Sequence, residues 1–451
     1  MTEEADIAVV GLGVGGEEVG GKLAEAGLSV VGIERRLVGG ECPYWGCIPS
    51  KMMIRAANLL AETRRVDGMA GRATATPDWA PVAKRIRDEA TDNWDDKVAV
   101  DRFVGKGGTF VRGSATFTAP DTVEVDGTSY RARRGIVISV GTTATIPPID
   151  GLAETPYWTN KQAIETETVP SSLICLGGGA IGLELAQAFA RFGADVTIVE
   201  AADRLIAMEE PESSELAAKA LAADGVVIRT GSSARRISHD GSQFTVHVEG
   251  GKPVTGEKLL VAVGRRSNFP DLGLDAAGLD ANAPIIGVDD RMRAADKLWA
   301  IGDITGHGAF THMAMYQAGI VIRDILGQDG PPADYKAVPH VTFTDPEIGS
   351  VGLSEKQARD AGVRVRTAIT QIPSSTRGWI HKAGNDGFIK LVADADRGVL
   401  VGATSAGPVG GEVLSALVVA VKAEVPISTL RAMIYAYPTF HRAIEDALSR
   451  L

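Results

Sequence analysis

Two stretches of the chain show the same order of apolar and polar positions. Each begins with a short apolar run, IAVV at 7–10 and LICL at 173–176. Each run is followed by closely spaced glycines, a segment of helical character and a second apolar run that ends in an acid. Short apolar runs bounded by glycine are typical of buried parallel strands, and the segment between them has the length of a crossover helix. Both stretches therefore predict a strand-helix-strand unit.

The two predicted units are copies of one another at an offset of 166 residues. Each contains a GxGxxG motif, a later glycine and a terminal glutamate. The matching pairs are Gly11 and Gly177, Gly13 and Gly179, Gly16 and Gly182, Gly27 and Gly193, and Glu34 and Glu200. Such glycines let a pyrophosphate approach the start of the helix, and the acid accepts hydrogen bonds from ribose hydroxyls. One GxGxxG is weak evidence, but two copies with the same flanks predict an enzyme that passes reducing equivalents between two dinucleotides.

Composition and charge narrow the class of protein. With 451 residues the chain is long enough for about three domains. Its net charge of −11 disfavours nucleic acid and anionic membrane surfaces as partners. The acidic start MTEEADIAVV lacks the basic region of a secretory signal, and the apolar stretch at 413–421 is shorter than the ~20 residues of a membrane helix. We therefore expect a cytoplasmic protein with no membrane span and no nucleic-acid partner.

The segment GGECPYWGCIPSK at 39–51 contains a closely spaced pair, Cys42 and Cys47. In a reducing cytosol such a pair is redox-active or metal-binding more often than structural. A regular helix would separate the two residues by ~7.5 Å of rise, too far for a disulfide, so a bonded pair requires the distorted turn that Pro43 and Gly46 permit. A disulfide in so short a loop adds little stability, which favours exchange chemistry. Two unconnected thiols or a zinc site are the alternatives, and no metal site is predicted because no second Cys/His pair follows at ligand spacing.

Seven motifs in a fixed order give the chain a resemblance to a known family. They are GLGVGG (11–16), GGECPYWGCIPSK (39–51), ISVGTTATIPPIDG (138–151), GGGAIGLELAQAFARFGADVTIVEAADRL (177–205), LLVAVGRRSN (259–268), LWAIGD (298–303) and FTDPEIGSVGLSE (343–355). On these motifs the chain resembles, over essentially its whole length, the flavoprotein disulfide reductases related to dihydrolipoamide dehydrogenase, glutathione reductase and mercuric reductase.

The resemblance implies an α/β fold with two Rossmann-like dinucleotide-binding domains and a C-terminal α+β dimerisation domain. The implied domains are an FAD-binding domain in two parts, an NAD(P)-binding domain inserted between them, and the dimerisation domain. Their expected boundaries are 1–148 and 269–337 for FAD, 149–268 for NAD(P) and 338–451 for dimerisation. The implied assembly is a homodimer in which the partner's C-terminal segment completes each active site.

The resemblance also implies FAD on the first GxGxxG, with Glu34 on the adenosine ribose and Asp303 on the ribityl chain, and a nicotinamide cofactor on the second. Glu200 favours NADH over NADPH because a carboxylate repels a 2′-phosphate, whereas Arg204 could bind that phosphate. The full set of expected cofactor-binding residues is Gly11, Gly13, Gly16, Glu34, Gly40, Gly141, Gly177, Gly179, Gly182, Glu200, Arg204, Gly264, Gly302 and Asp303.

Four catalytic positions are carried over from the family motifs. Cys47 is implied to lie beside the flavin and Cys42 to exchange with substrate. Lys51 is implied to pair with Glu184 near the flavin and nicotinamide rings, although two solvated surface charges are the alternative reading. Cys175 lies inside an apolar run and is expected to be a core residue.

The C-terminal segment departs from the family pattern. Members that reduce small disulfides carry HPTxxE, whose His acts as acid and base, but this chain reads YPTFHR, with Tyr437 in place of the His and Arg442 in place of the Glu. His441 and Glu445, four residues apart, are candidates for a substitute dyad if they share a helix face. His312 matches a family segment near the flavin, where a packing role is equally consistent.

These observations predict an FAD-dependent NAD(P)H:disulfide oxidoreductase that passes electrons from the nicotinamide through FAD to Cys42 and Cys47 and on to a small disulfide. The alternatives are a flavin-mediated quinone reductase, a mercuric-reductase-like enzyme, and a flavin-binding redox-sensing or scaffold subunit without turnover. Mercury reduction is disfavoured because the chain ends in ALSRL and lacks the C-terminal cysteine pair of mercuric reductases.

Overall fold

A computed structural model describes residues 1–269 and 271–451 of the chain. These residues form two compact units. Unit 1 comprises Met1–Pro49, Lys84–Thr145 and Arg265–Tyr335, and unit 2 comprises Ser50–Ala83, Ile146–Gly264 and Lys336–Leu451. The domain boundaries implied by the family motifs stay predictions.

The strands are labelled β1 to β22 in chain order. They are Thr2–Val10, Val30–Glu34, Thr109–Arg112, Thr116–Ala119, Thr122–Val125, Thr128–Ile138, Thr142–Ala144, Ser172–Leu176, Asp195–Val199, Val227–Arg229, Ala234–His239, Phe244–Val248, Val254–Gly256, Lys258–Val261, Arg265–Ser267, Arg293–Ala295, Leu298–Ala300, Pro339–Thr342, Glu347–Gly352, Val365–Gln371, Phe388–Asp394 and Val399–Gly407.

The α-helices are labelled α1 to α14 in chain order. They are Val14–Glu25, Glu41–Trp45, Cys47–Arg64, Ala80–Arg85, Lys97–Gly105, Asn160–Glu165, Ala180–Arg191, Pro211–Ala223, Thr311–Leu326, Glu355–Asp360, Thr376–His381, Gly410–Lys422, Ile427–Ala432 and Arg442–Leu448. A π-helical turn at Ile86–Ala90 and 3-10 turns at Leu274–Ala277, Gly302–Thr305 and Ile372–Ser374 complete the helical segments.

Unit 1 is organised around a sheet in the order β16-β17-β6-β1-β2-β3, to which β5 and β4 add along β6. The central strands β17, β6, β1, β2 and β3 run parallel. The second half of β1 and the end of β6 are apolar on both faces, as parallel strands covered on both sides require, and Ile7, Val9 and Ile136 are fully buried. Helix α1 connects β1 to β2, so the first predicted strand-helix-strand unit is confirmed.

Unit 2 contains the second predicted strand-helix-strand unit, which is also confirmed. Its parallel sheet has the order β10-β9-β8-β14, and α7 connects β8 to β9. The pairing register repeats at the same offset as the sequence: Ile7 lies opposite Val30 in unit 1, and Leu173 lies opposite Val196 in unit 2. The repeat seen in the sequence is therefore also present in the structure.

The C-terminal part of unit 2 is a five-stranded antiparallel sheet in the order β18-β19-β22-β21-β20. Helices α12 and α14 pack on it, and Leu391, Leu417 and Ala447 belong to the shared apolar core. This arrangement agrees with the expected α+β domain. The apolar stretch at 413–421 forms the middle of α12, and the described residues contain no helix that is long and apolar enough to span a membrane.

Candidate active site

The third glycine of each GxGxxG motif permits a close approach between the helix and the preceding loop. A Cβ on Gly16 would lie 2.0 Å from the carbonyl oxygen of Gly11, and a Cβ on Gly182 would lie 2.2 Å from that of Gly177. Real side chains do not reach such distances, so each helix starts close against its strand only because these positions are glycine. Both motifs therefore hold the compact turn expected of a phosphate-binding loop.

The second glycine of each motif is the N-cap of the helix that follows. Gly13 caps α1 and Gly179 caps α7, and neither cap has a side chain that bonds the backbone N–H groups of the first turn. These N–H groups have no partner within the helix and attract anions. A Cβ on Gly179 would meet open space among the described residues. The donor set and the space fit a pyrophosphate, so these residues fit the FAD and nicotinamide dinucleotides that the motifs imply.

The glutamates that end the two units are held in the same way. Each carboxylate accepts one hydrogen bond from the glycine loop and one from the backbone two residues further on. The bonds run from Leu12 N to Glu34 Oε2 (2.9 Å), Arg36 N to Glu34 Oε1 (2.7 Å), Gly178 N to Glu200 Oε2 (2.5 Å) and Ala202 N to Glu200 Oε1 (2.6 Å). Each carboxylate therefore lies beside its own glycine loop, where a ribose would be held.

Of the other residues expected to bind FAD, Gly141, Gly302 and Asp303 follow parallel strands of unit 1, and Gly40 lies close to Gly13 of the first loop. Gly141 follows β6, Gly302 follows β17, and Gly40 precedes α2. The carboxyl ends of parallel strands are the usual position of dinucleotide sites. Asp303 accepts a hydrogen bond from the Thr142 hydroxyl at 2.6 Å, which fixes one of its two oxygens.

Sequence reasoning missed a connection within this region. Arg265 donates to the Thr142 hydroxyl (2.8 Å), to the Thr142 carbonyl (2.8 Å) and to Glu41 Oε2 (2.6 Å). It thereby links the cysteine segment to the chain that holds Asp303. The sequence offered one indication of these residues, which is that each is the chain neighbour of a predicted site residue. Glu41 adjoins Cys42, Thr142 adjoins Gly141, and Arg265 adjoins Gly264.

The cysteine segment is an interrupted helix. Cys42 lies in α2, Cys47 begins α3, and Gly46 between them adopts a non-helical conformation with φ −124° and ψ −120°. Both cysteines are thiols, and the hydrogen bond to Cys47, together with burial, raises the pKa of Cys42. The raised pKa favours the protonated form of the Cys42 thiol. The Cys47 sulfur lies 3.4 Å from the hydroxyl of Thr311, the first residue of α9, which sequence reasoning also missed.

Lys51 and Glu184 form an ion pair, with Nζ 2.7 Å from Oε2. Glu184 is buried in α7, so the alternative of two solvated surface charges is wrong for this pair. The second oxygen of Glu184 accepts the backbone N–H of Phe343 at 2.8 Å, and Lys51 Nζ lies 4.6 Å from the centroid of the Phe343 ring. The pairing implied by the family motifs is present, and its catalytic role stays a prediction.

The C-terminal segment does not contain the substitute dyad. Glu445 pairs with Arg442 at 3.0 Å, and in the described chain no hydrogen bond joins it to His441. His441 is the N-cap of α14 and keeps a helical backbone, with φ −57° and ψ −29°, but the Glu445 carboxylate pairs with Arg442 instead. Tyr437 is 67% exposed, with the Arg442 guanidinium 5.5 Å from its ring centroid.

Arg204 is engaged within the protein. Its guanidinium donates to the Ser214 hydroxyl at 2.7 Å and to the Ala207 carbonyl at 2.5 Å. Both terminal nitrogens therefore have partners of their own, and binding a 2′-phosphate would require these bonds to break.

Two further residues lie in packing positions. Cys175 is fully buried in β8, and burial raises the pKa of its thiol to about 12, which agrees with a core role. His312 stacks against Phe310 with ring centroids 5.2 Å apart. Residues 1–269 and 271–451 contain no group of three or more His, Cys, Asp or Glu side chains placed to hold a metal ion.

Comparison with known families and proteins places these features in context. The family described as pyridine nucleotide-disulphide oxidoreductase matches residues 5–318, and the dimerisation domain of that family matches residues 338–448. The chain is 34% identical over 423 residues to a mercuric reductase of Bacillus cereus, covering 92% of this chain and 66% of that protein. It is 30% identical over 463 residues to a dihydrolipoyl dehydrogenase of Haloferax volcanii, covering 98% of this chain and 95% of that protein.

Solved structures give a similar result. The HOCl-induced flavoprotein disulfide reductase RclA from Escherichia coli superposes with a TM-score of 0.87 at 28% identity, covering 98% of this chain and 99% of that chain. A Cu(II) complex of the same reductase superposes with a TM-score of 0.88 at 26% identity, covering 100% of both chains.

Proposed function

The chain belongs to the pyridine nucleotide-disulphide oxidoreductase family, and from that premise we propose that it oxidises NADH and reduces a small disulfide by way of FAD, Cys42 and Cys47. The family binds FAD and a pyridine nucleotide. The observation that carries the proposal is the hydrogen-bonded thiol pair in an interrupted helix, within the same compact unit as the first phosphate loop.

When bound, the two cofactors supply the hydride donor and its first acceptor. The protein's part is to hold them. The N-terminus of α1 and Glu34 would bind the pyrophosphate and ribose of FAD, and the N-terminus of α7 and Glu200 would do the same for NADH. Lys51, fixed by Glu184, would place a positive charge beside the reacting rings, as the family motifs imply.

The thiol pair then carries two electrons to the substrate. The Cys42 sulfur, once its proton leaves, attacks one sulfur of the substrate disulfide, forming a mixed disulfide and releasing one thiolate. The Cys47 thiolate attacks the Cys42 sulfur, which forms the Cys42–Cys47 disulfide and releases the second thiolate. Two protons from the pair and the solvent end on the product thiols. Two electrons from the hydride return the pair to the dithiol.

NADH rather than NADPH is supported by two contacts at the second loop. Glu200 is held by backbone N–H groups beside the glycines, where a 2′-phosphate would meet its negative charge. The Arg204 donors are engaged by Ser214 and Ala207. Both observations favour a free 2′-hydroxyl.

A homodimer is supported by the match of residues 338–448 to a dimerisation domain and by exposed apolar side chains in the same region. Ile434 is 98% exposed and Tyr437 67% exposed, and both precede α14. Apolar side chains exposed together are typical of an interface. In this proposal the partner's Tyr437 segment completes each active site.

Reduction of a thiophilic metal ion is the second candidate. It is favoured by Tyr437, because phenol is a poor base at neutral pH and a dithiol that passes electrons to a bound metal does not need the base that thiol exchange uses. Soft thiolates are suitable ligands for such ions. The mercuric reductase and the Cu(II) complex among the similar proteins point in the same direction.

The experiment is an anaerobic NADH oxidation assay on the FAD-loaded protein with lipoamide, glutathione disulfide, a quinone, Hg(II) and Cu(II) as separate acceptors. We expect at least one disulfide to be reduced, and Cys42→Ser to abolish that activity. Cys175→Ala, which removes a buried thiol outside the pair, is the matched control and should retain it. Quinone reduction that survives Cys42→Ser, with every disulfide inert, would contradict the proposal.

A further inference from the structure

Phe343 contacts both members of the Lys51–Glu184 ion pair. Its ring centroid lies 4.6 Å from Lys51 Nζ, and its backbone N–H donates to Glu184 Oε1 at 2.8 Å. The other oxygen of Glu184 binds Lys51 at 2.7 Å. We propose that Phe343 is a positioning residue, which fixes the Lys51 ammonium by its ring and the Glu184 carboxylate by its backbone.

The ion pair needs a positioning residue because the Lys51 side chain has more conformational freedom than the Glu184 side chain. Glu184 is buried and held by two donors, whereas the Lys51 side chain is 34% exposed and has four rotatable bonds. An ion pair with one partially exposed member is weak, because the long side chain loses conformational entropy and water screens the charge. An aromatic face beside the ammonium adds a cation–π attraction and excludes water from that side.

Phe343 is itself held by the helix that carries Glu184. Gln187 exchanges two hydrogen bonds with the backbone of Asp345, accepting its N–H at 2.8 Å and donating to its carbonyl at 3.0 Å. Arg191 donates to the Asp345 carboxylate at 2.8 Å. Glu184, Gln187 and Arg191 follow the i, i+3, i+7 spacing of one helix face. One face of α7 therefore holds the carboxylate and, through Asp345, the segment that bears the ring.

The contact can be tested without turnover, by measuring how fast the Lys51 amine reacts. Reductive methylation of the FAD-loaded protein, followed by peptide mass spectrometry, reports the accessibility of each lysine. We expect Phe343→Leu to raise the methylation rate of Lys51 by about threefold or more, as loss of a cation–π contact at a partly exposed site would allow. Phe343→Tyr, which keeps an aromatic face, should leave the rate close to wild type. Lys356, an exposed lysine paired with Asp360, is the internal reference.

Phe343→Met is a second non-aromatic variant in case the leucine variant does not fold. Glu184→Gln is the positive control, since it removes the carboxylate partner of Lys51 and leaves the longer 3.3 Å hydrogen bond to the Ser50 hydroxyl. If Glu184→Gln raises the methylation of Lys51 while Phe343→Leu and Phe343→Met leave it at the wild-type rate, the inference is wrong.

The part of this inference that concerns hydride transfer rests on the proposed function. Stopped-flow reduction of the flavin by NADH distinguishes a failure of the proposed function from a failure of the inference about Phe343. We expect Lys51→Met to slow flavin reduction by about tenfold or more and Phe343→Leu to slow it by a smaller factor, with recovery in Phe343→Tyr. If the flavin of Lys51→Met is reduced at the wild-type rate, the proposed role of Lys51 in hydride transfer is wrong. The methylation experiment then tests by itself whether Phe343 holds the Lys51 ammonium in place. If Lys51→Met is slow but Phe343→Leu is not, Phe343 does not position Lys51 for the reaction.

Discussion

Glu34 and Glu200 lie 166 residues apart and accept the same pair of backbone hydrogen bonds, one from the second residue of their own GxGxxG motif and one from the residue two positions on. The strand registers beside them repeat at the same offset. The two dinucleotide units are thus equivalent at the level of individual contacts, although they lie in different compact units. A substitution in one glycine loop is therefore expected to impair that unit without impairing the other.

Matched substitutions in the two loops should separate the two cofactors. Gly16→Ala should abolish FAD binding and Gly182→Ala should leave FAD bound but weaken NADH at least about tenfold, because either Cβ would collide with a backbone carbonyl at the start of its helix. The flavin absorbance per polypeptide and the KM for NADH measure the two effects. Gly105→Ala, at a helical glycine with open space around it, is the control. Loss of flavin from Gly182→Ala would contradict the assignment of the loops.

Glu200 should set the preference for NADH. We expect Glu200→Ala to narrow the ratio of kcat/KM for NADH to that for NADPH, since the carboxylate no longer opposes the 2′-phosphate. Arg204→Ala should change that ratio less, because its guanidinium is engaged by Ser214 and Ala207. A tenfold preference of the wild type for NADPH, about 1.4 kcal/mol in transition-state binding, would show that a cation outweighs Glu200.

Arg191 should matter for stability more than any surface arginine. It is 2% exposed and binds Asp224, Asp345 and Asn58. Arg191→Met would remove the buried cation that the two carboxylates share and leave them with the more exposed Arg64, at 4.0 Å from Asp224, and Arg65, at 2.7 Å from Asp345. We expect the free energy of unfolding in urea to fall by about 3–5 kcal/mol. Arg359→Met, which breaks an exposed pair with Glu355, should cost less than about 1 kcal/mol. Equal decreases in the free energy of unfolding in the two variants would mean that the buried Arg191 network does not stabilise the protein more than an exposed ion pair does.

Cys42 and Cys47 should behave differently toward the flavin. In Cys42→Ser the remaining Cys47 thiolate should give a long-wavelength absorption band with oxidised flavin, whereas Cys47→Ser should not, because the family motifs imply that Cys47, and not Cys42, lies beside the flavin. Absorption spectra across a pH titration measure the band. Bands of equal strength in the two variants would overturn the assignment of Cys47 to the flavin side.

Local patterns predicted the repeat, because a glycine loop and its flanking strands are encoded within about 30 residues. The Lys51–Glu184 pair spans 133 residues and was predictable only from family motifs. The contacts of Thr311 with Cys47, of Arg265 with Glu41 and of Phe343 with Lys51 arise from tertiary packing, which no local pattern contains. The candidate pairing of His441 with Glu445 is not formed, because the Glu445 carboxylate pairs with Arg442, and a spacing of four does not decide which basic neighbour a carboxylate binds.

Transfer of electrons to the Cys42–Cys47 pair is tested most directly by anaerobic titration of the FAD-loaded protein with NADH, followed by flavin absorbance. A disulfide and a flavin each take two electrons, so the wild type should require about two equivalents of NADH per FAD before the flavin is fully bleached. The Cys42→Ser/Cys47→Ser double variant should require about one. Complete bleaching of the wild type by a single equivalent, with no difference from the double variant, would contradict a role for the cysteine pair in electron transfer.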